Sequence, residues 1–279
     1  MGRSAQLCDR EGLLVTSGIL FVNPHAGSRS PSAEELADAA RARGIEVHVL
    51  ASGDDAGALA REVDAAALGM AGGDGSLAPV AAEAIARDLP FVCVPFGTRN
   101  HFARDLGLDR DDPLAALDAF GGEEHRIDVG RAGEALFLNN VAFGGYARLV
   151  HRRERHRRRR EAFAGLRGLA MLVRRPHPLE VTLDGRRLSA RVVVVANNDY
   201  ELQLLSLGAR PRLDEGVLHL YAANGVLPRT WEEQTGERFL IDTGSGTLRA
   251  ALDGEPVELP APLELEIRPR ALRVLLPPR

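Results

Sequence analysis

Lysine is absent from the 279-residue chain, so all 35 of its Lys+Arg residues are arginine. This excludes a Walker phosphate loop, whose lysine reaches the terminal phosphates, and any mechanism through a lysine Schiff base. The same bias, with abundant Ala, Gly, Leu and Pro, accords with a GC-rich coding sequence. Cysteine is nearly absent too: Cys8 lies near the N-terminus and Cys93 inside the apolar run of residues 91–94. Two such distant thiols predict neither a disulfide framework nor a zinc site, and they suit a reducing compartment. Residues 1–11 hold no long apolar stretch, and no later run approaches the roughly 18 apolar residues of a membrane span. A cytoplasmic protein is expected. The net charge of −4 gives no global reason to expect DNA or RNA as a partner.

What is present is enough for a buried core. Hydrophobic residues make up 45% of the chain, and the length allows two ordinary domains. Up to Leu106, short apolar runs (residues 19–22, 45–50, 65–70 and 91–94) alternate with longer amphipathic stretches (33–43, 56–63 and 77–87). Strands alternating with helices predict a parallel sheet covered by helices, with ligands beyond the carboxyl ends of its strands. From about Arg126 the pattern changes to strand candidates at 136–141, 179–183, 192–196, 217–221, 246–252 and 263–267. Many alternate apolar and polar residues, as half-buried antiparallel strands do. The expected division is therefore residues 17–124 as an α/β domain and 125–269 as a mainly β domain, with 270–279 returning to the first. One helical stretch is expected over 147–173. Its arginine-rich start, 152–160, reads equally as a solvated helix face or as a surface for anionic lipid headgroups.

Four stretches carry polar or glycine-rich chemistry. Gly72, Gly73, Asp74, Gly75 and Ser76 stand between a strand and a helix that begins near Ser76, with Pro79 in its first turn. Glycines let backbone amides approach an anion, and the helix N-terminus adds partial positive charge. Asp74 would repel a phosphate unless a metal ion or a hydrogen-bond network intervenes, so it reads as a carboxylate acting on Mg²⁺-bound phosphates. The second stretch, Pro95 to Arg104, brings Thr98 and Asn100 to the same sheet edge, although either residue could simply cap the following helix. The third, Asn23 to Ser28, follows the first strand. The fourth, Asp253-Gly254-Glu255, is a tight turn by composition.

Taken together, Asn-Pro-x-x-Gly from Asn23, Gly-Gly-Asp-Gly-Ser from Gly72, Pro-x-Gly-Thr-x-Asn-x-Phe-Ala-Arg from Pro95 and the late Asp-Gly-Glu resemble the diacylglycerol kinase catalytic-domain family. The likeness is to its bacterial lipid kinases in particular, with sphingosine and ceramide kinases as relatives. Any one motif is weak; their order and spacing are specific. The resemblance implies a nucleotide-binding α/β domain like that of NAD kinase and phosphofructokinase, then a β-sandwich-like domain, with ATP and substrate between them. It implies transfer of the γ-phosphate of ATP to a lipid hydroxyl, diacylglycerol giving phosphatidic acid. Asn23, Gly72 to Ser76, Thr98 and Asn100 would serve the nucleotide, with Asp74 central to the metal and the γ-phosphate. Glu255 would be the general base and Asp128 a supporting acid. The partner would be a lipid met at the inner membrane face; a homodimer is one assembly left open.

The resemblance also implies a structural magnesium site in the second domain, here the main-chain carbonyls of Arg212 and Val217 with the side chain of Glu215, a glutamate where the family has aspartate. Ser76 stands where threonine is usual. Residues 197–201 depart from the family in a region that shapes its acceptor pocket. Without lysine, Arg99 or Arg104 must supply fixed positive charge near the loops. The competing readings are a kinase of the same fold acting on NAD or a soluble alcohol, and a non-catalytic nucleotide or lipid sensor.

Overall fold

The computed structural model of the protein describes residues 18–26, 30–144, 179–203, 206–223 and 231–278. Cys8, Gly27, Ser28, the arginine-rich segment 152–160 and the helical stretch read over 147–173 lie outside the described residues.

The first part of the chain follows the alternation read from its sequence: β1 (Gly18–Val22), α1 (Ala33–Ala42), β2 (Glu46–Val49), α2 (Ala56–Glu62), β3 (Ala67–Gly72), α3 (Asp74–Ala86), β4 (Phe91–Pro95) and α4 (His101–Asp105). β1 to β4 pair in parallel in the order β2-β1-β3-β4. β1, β3 and β4 are buried along their whole length, which is why they read as unbroken apolar runs: both faces are covered. On one face Phe21, Leu68, Met70 and Phe91 pack with Val80, Ala81 and Ala84 of α3. On the other, Leu20, Val22, Val92 and Val94 pack with Leu36 and Ala40 of α1 and with Leu117 and Phe120 of a 3-10 turn at Ala115–Gly121. α1 starts on a reciprocal cap, in which the Ser32 hydroxyl accepts from Glu35 N at 3.1 Å and Ser32 N donates to the Glu35 carboxylate at 2.7 Å.

The remainder is β structure: β5 (Glu123–Ala132), β6 (Ala135–Phe137), β7 (Asn140–Gly144), β8 (Leu179–Leu183), β9 (Arg186–Ala190), β10 (Val192–Asn197), β11 (Leu202–Gln203), β12 (Ser206–Leu207), β13 (Leu218–Ala223), β14 (Trp231–Gly236), β15 (Arg238–Asp242), β16 (Thr247–Leu252), β17 (Glu255–Pro260) and β18 (Leu263–Leu276). Among the described residues, an antiparallel sheet in the order β14-β13-β10-β7-β16-β17 packs on the β18-β15-β8-β9 end of the first sheet. Val141, Phe143, Val193, Val195, Leu218 and Leu220 from one side meet Val181, Leu183, Phe239, Ile241, Leu263 and Leu265 from the other. The result is a sandwich.

β18 is shared between the two parts. Its first half pairs with β15, its second half lies parallel to β4 with Val274 opposite Phe91, and β5 runs antiparallel along both halves. The β5–β18 register shifts between Arg268 and Leu272. Residues 272–276 thus complete the sheet of the α/β part.

The structure differs from the sequence reading in three places. The single strand read over 136–141 is broken into β6 and β7, because the N–H groups of Leu138, Asn139 and Asn140 turn to the Asp253 carboxylate. The helix read from Ser76 begins at Asp74, since both Ser76 N (2.9 Å) and Ser76 Oγ (2.7 Å) donate to the Gly73 carbonyl and tighten the first turn. Pro79 therefore lies beyond that turn, inside α3. Strands β5, β9, β11, β12, β14, β15 and β17 escaped the reading; exposed charges such as Glu123, Glu124, Arg186, Glu232 and Arg238 interrupt the apolar pattern of β5, β9, β14 and β15.

Candidate active site

Three strand ends meet at one edge of the parallel sheet. Asn23 leaves β1 and donates its N–H to Ala71 O on β3 at 2.9 Å, while its side-chain oxygen accepts from His25 N at 3.0 Å. Phe96, just after β4, donates to Gly72 O at 3.2 Å. The turns after β3 and β4 touch directly: a Cβ on Gly97 would lie 2.9 Å from Gly73 N and overlap Gly73 Cα. Gly97 needs to be glycine because the Gly73 backbone occupies the space of its side chain, whereas a Cβ on Gly73 would meet Gly97 Cα at an ordinary 3.7 Å.

Asp74 joins the same two turns through its side chain. Its carboxylate accepts from His101 N at 3.1 Å and Phe102 N at 2.9 Å, so it caps α4 from the first turn of α3. α4 has only five residues and no cap from its own N-cap residue, Asn100, which adopts a left-handed conformation at φ 50°. Asn100 is buried and closes its own loop: its amide oxygen accepts from Gly97 N at 2.8 Å and its amide nitrogen donates to Gly97 O at 3.0 Å. Thr98 and Arg99 are left exposed at the tip. Arg104 pairs with Asp105 and donates to Gly208 O at 2.8 Å, which makes it a brace for the loop. His101 has its pKa lowered chiefly by burial, with Arg104 and Arg99 adding to the effect against Asp74.

The N-cap residue of α3 is Gly73, which has no side chain with which to cap the helix. Uncapped helix N-termini present amides and partial positive charge to an anion. Glu255 reaches this point from the opposite side. A Cβ on Gly75 would stand 2.8 Å from Glu255 Oε1 and 2.9 Å from its Cδ, so the glutamate side chain lies flat on the glycine, next in sequence to Asp74. Helix N-termini favour carboxylates held in this way.

The turn carrying Glu255 is anchored by Asp253, which is buried. Its carboxylate accepts from Leu138 N (2.8 Å), Asn139 N (2.7 Å) and Asn140 N (3.1 Å). Burial nevertheless raises its pKa to about 6, outweighing the three amides, and the Asp74 charge adds to the rise. The segment so held presents Asn139, whose side-chain nitrogen lies 3.4 Å from Asp74 Oδ1 and whose oxygen accepts from Arg210 at 2.8 Å. Arg210 is itself buried, pairs with Asp105 at 2.7 Å and donates to Leu138 O and Asn197 O. A continuous polar chain thus runs Asp74, Asn139, Arg210, Asp105. Sequence reasoning passed over Asp253 as a turn residue and missed Asn139, Arg210 and Asp105. The doublet Asn139-Asn140 between two apolar runs was a usable signal; Arg210, one arginine among many, gave none.

The structure draws together Asn23, Gly72 to Ser76, the 97–100 loop and Glu255. Asp128 has other partners: it is buried, and its carboxylate accepts from Gly216 N at 2.7 Å and Arg270 N at 2.8 Å. It clamps the 213–216 loop to the register shift in β18. Arg212, Glu215 and Val217 share that loop, and two carbonyls with a carboxylate are the hard oxygen donors magnesium takes. Glu215 already accepts from Asp199 N at 2.9 Å, and Val217 O from Asn198 N at 3.3 Å.

Residues 17–132, which include both glycine turns and Asp128, match the family model described as the diacylglycerol kinase catalytic domain. Over 271 residues the chain is 28% identical to a diacylglycerol kinase of Mycobacterium tuberculosis, covering 84% of this chain and 86% of that one. Another similar protein, from Klebsiella pneumoniae, is named "probable lipid kinase YegS-like" and is 24% identical over 90% of this chain and 93% of its own. In fold, the structure is similar to the crystal structure of a diacylglycerol kinase from Bacillus anthracis, with a TM-score of 0.70, 19% identity and coverage of 94% and 97%. Similarity to a kinase family makes phosphotransfer the chemistry to be explained. Asp253 and Glu255 lie beyond the region that the kinase family model covers, yet Glu255 is packed against its glycine turn.

Proposed function

We propose that the protein is an ATP-dependent lipid kinase that transfers the γ-phosphate to the hydroxyl of diacylglycerol. The observation that carries the reading is the contact of Glu255 with Gly75, which sets a carboxylate against the first turn of α3 beside Asp74. The relatives named as diacylglycerol and lipid kinases support the choice of acceptor.

Phosphoryl transfer asks a protein to align a nucleophile with the γ-phosphate and to neutralise charge. In this reading the amides of Gly73 to Gly75 and the Thr98 hydroxyl receive the phosphates, while Asn23 and Asn100 shape the loops around them. Asp74 has both carboxylate oxygens on amides, and a carboxylate has about four lone-pair sites, so it retains capacity for Mg²⁺. Bound there, magnesium would neutralise charge on the phosphate oxygens. Glu255 takes the proton of the acceptor hydroxyl, and the polar chain from Asn139 to Asp105 fixes the Asp74 side chain. Transfer is direct and in line, without a phosphoenzyme.

The test is an acceptor panel. Purified protein, γ-labelled ATP and Mg²⁺ are incubated with diacylglycerol, sphingosine, ceramide and NAD. Label in phosphatidic acid is the expected result. Label in NADP alone would overturn the lipid reading, and label trapped covalently on the protein would overturn the in-line route.

A further inference from the structure

On the outer face of the sandwich lies a cluster with no part in the chemistry above. Tyr221 of β13 pairs with Glu233 of β14, and His219 pairs with Thr235. Alternate strand residues share a face, so His219, Tyr221 and Glu233 project together, opposite the core residues Leu218 and Leu220. Asp199, in the loop after β10, reaches the same place. Nδ1 of His219 is 3.3 Å from a Glu233 oxygen and 3.6 Å from an Asp199 oxygen. One ligand atom from each of the three falls within 4.8 Å of the others. With metal–ligand bonds of about 2.0–2.2 Å, tetrahedral neighbours stand roughly 3.3–3.6 Å apart. The two His219 separations match that spacing.

The imidazole itself points to a ligand. His219 is only 8% exposed, and its Nε2 is buried without a hydrogen-bond partner, although Glu215 Oε2 stands 3.3 Å away. A neutral imidazole has one N–H. If a cation takes Nδ1, the hydrogen resides on Nε2 and faces the Glu215 carboxylate, the arrangement that commonly orients a metal-binding histidine. Asp199 is held in the same way: its carboxylate accepts from the Tyr221 hydroxyl at 2.6 Å, and its N–H donates to Glu215 at 2.9 Å.

We propose that Asp199, His219 and Glu233 form a divalent-cation site for an ion of the zinc and cobalt class. Its donors, one imidazole nitrogen and two carboxylates, differ from the all-oxygen set of Arg212, Glu215 and Val217, and an imidazole selects against magnesium and calcium. Glu215 serves it from behind as the partner of His219. Glu233 is exposed, so the fourth coordination position opens to solvent. The ion ties the loop after β10 to strands β13 and β14. Cysteine counting does not bear on such a site, whose donors are a histidine and carboxylates scattered along the chain.

Titration of untagged, chelator-treated protein with Co²⁺, followed by visible absorption, reads this site without reference to any kinase activity. The expected result is one equivalent bound with the intense bands of a four-coordinate ion, displaced by equimolar Zn²⁺ and untouched by excess Mg²⁺. Glu233→Gln and Asp199→Asn should each weaken binding about tenfold or more. Glu233→Gln changes an exposed side chain, so the metal-free melting temperature should stay within about 2 °C of wild type. Absence of a saturable one-equivalent step, displacement by Mg²⁺, or equal Co²⁺ affinity in wild type and Glu233→Gln would overturn the proposal.

Discussion

Gly75 and Glu255 set the terms at the residue scale. A methyl group at Gly75 would overlap the Glu255 side chain at its Cγ, and a flexible glutamate will yield before a helix does. Alanine is also the better helix former, by up to about 1 kcal/mol. Gly75→Ala should therefore leave the melting temperature unchanged or raised while phosphate transfer falls about tenfold or more, because Glu255 is displaced from the reacting hydroxyl. Calorimetry and an initial-rate assay on the same preparation check both halves. Asp253 predicts a pH dependence. Its pKa is raised from 3.8 to about 6, so the native state holds a proton that the unfolded chain releases. The associated stability is fully present below about pH 4 and lost as pH rises through 6, amounting to up to ~3 kcal/mol. In Asp253→Asn this pH-dependent component should vanish, and an amide donor should face the Leu138 N–H at a cost of about 1–3 kcal/mol. Urea unfolding of both proteins from pH 4 to pH 8 measures the two effects. The glycine turn and the Glu255 position were legible in the sequence because glycine spacing and an acidic turn are local features. Asp253 was not, since its role depends on amides brought from residues 138–140.

At the scale of elements, α4 shows how a short helix is kept. Five residues do not stabilise a helix in water. Asp74 satisfies the amides at its start, and Asp105 at its end pairs with the buried Arg210. Arg210→Leu would strip that pair, leaving Asp105 with Arg104 alone and Leu138 O, Asn197 O and the Asn139 amide oxygen without the Arg210 donor, a loss of about 3–5 kcal/mol. The denaturant midpoint should fall accordingly, and hydrogen exchange should show α4 opening before β3 and β4. The parallel strands and α1 to α3 were readable because burial on both faces writes itself as apolar runs and helical stripes. The β half was read less fully. β5 begins with four exposed residues, and β14 presents its charged side chains outward, so their partners, not their own pattern, make them strands. The break between β6 and β7 has the same origin: an outside carboxylate claims the amides that would have continued the strand.

At the scale of the whole molecule, β18 and β5 set the relation between the α/β part and the sandwich. Their paired ribbon passes through both, and Asp128 pins the register shift where it crosses. This construction delivers the Asp253-Gly254-Glu255 turn from the sandwich to the mouth of the parallel sheet, far from Asp74 in the chain but against its neighbour Gly75. The order of motifs foretold that these residues belong together; only the fold shows through which contact they meet. The most direct test of that meeting is single-turnover transfer from γ-labelled ATP to diacylglycerol vesicles by wild type and Glu255→Gln, with nucleotide binding measured on both. A general base contributes about 10²–10⁴ in rate, so the variant should lose that factor while binding ATP as before. Transfer undiminished in Glu255→Gln, or absent from the wild type, would contradict the account.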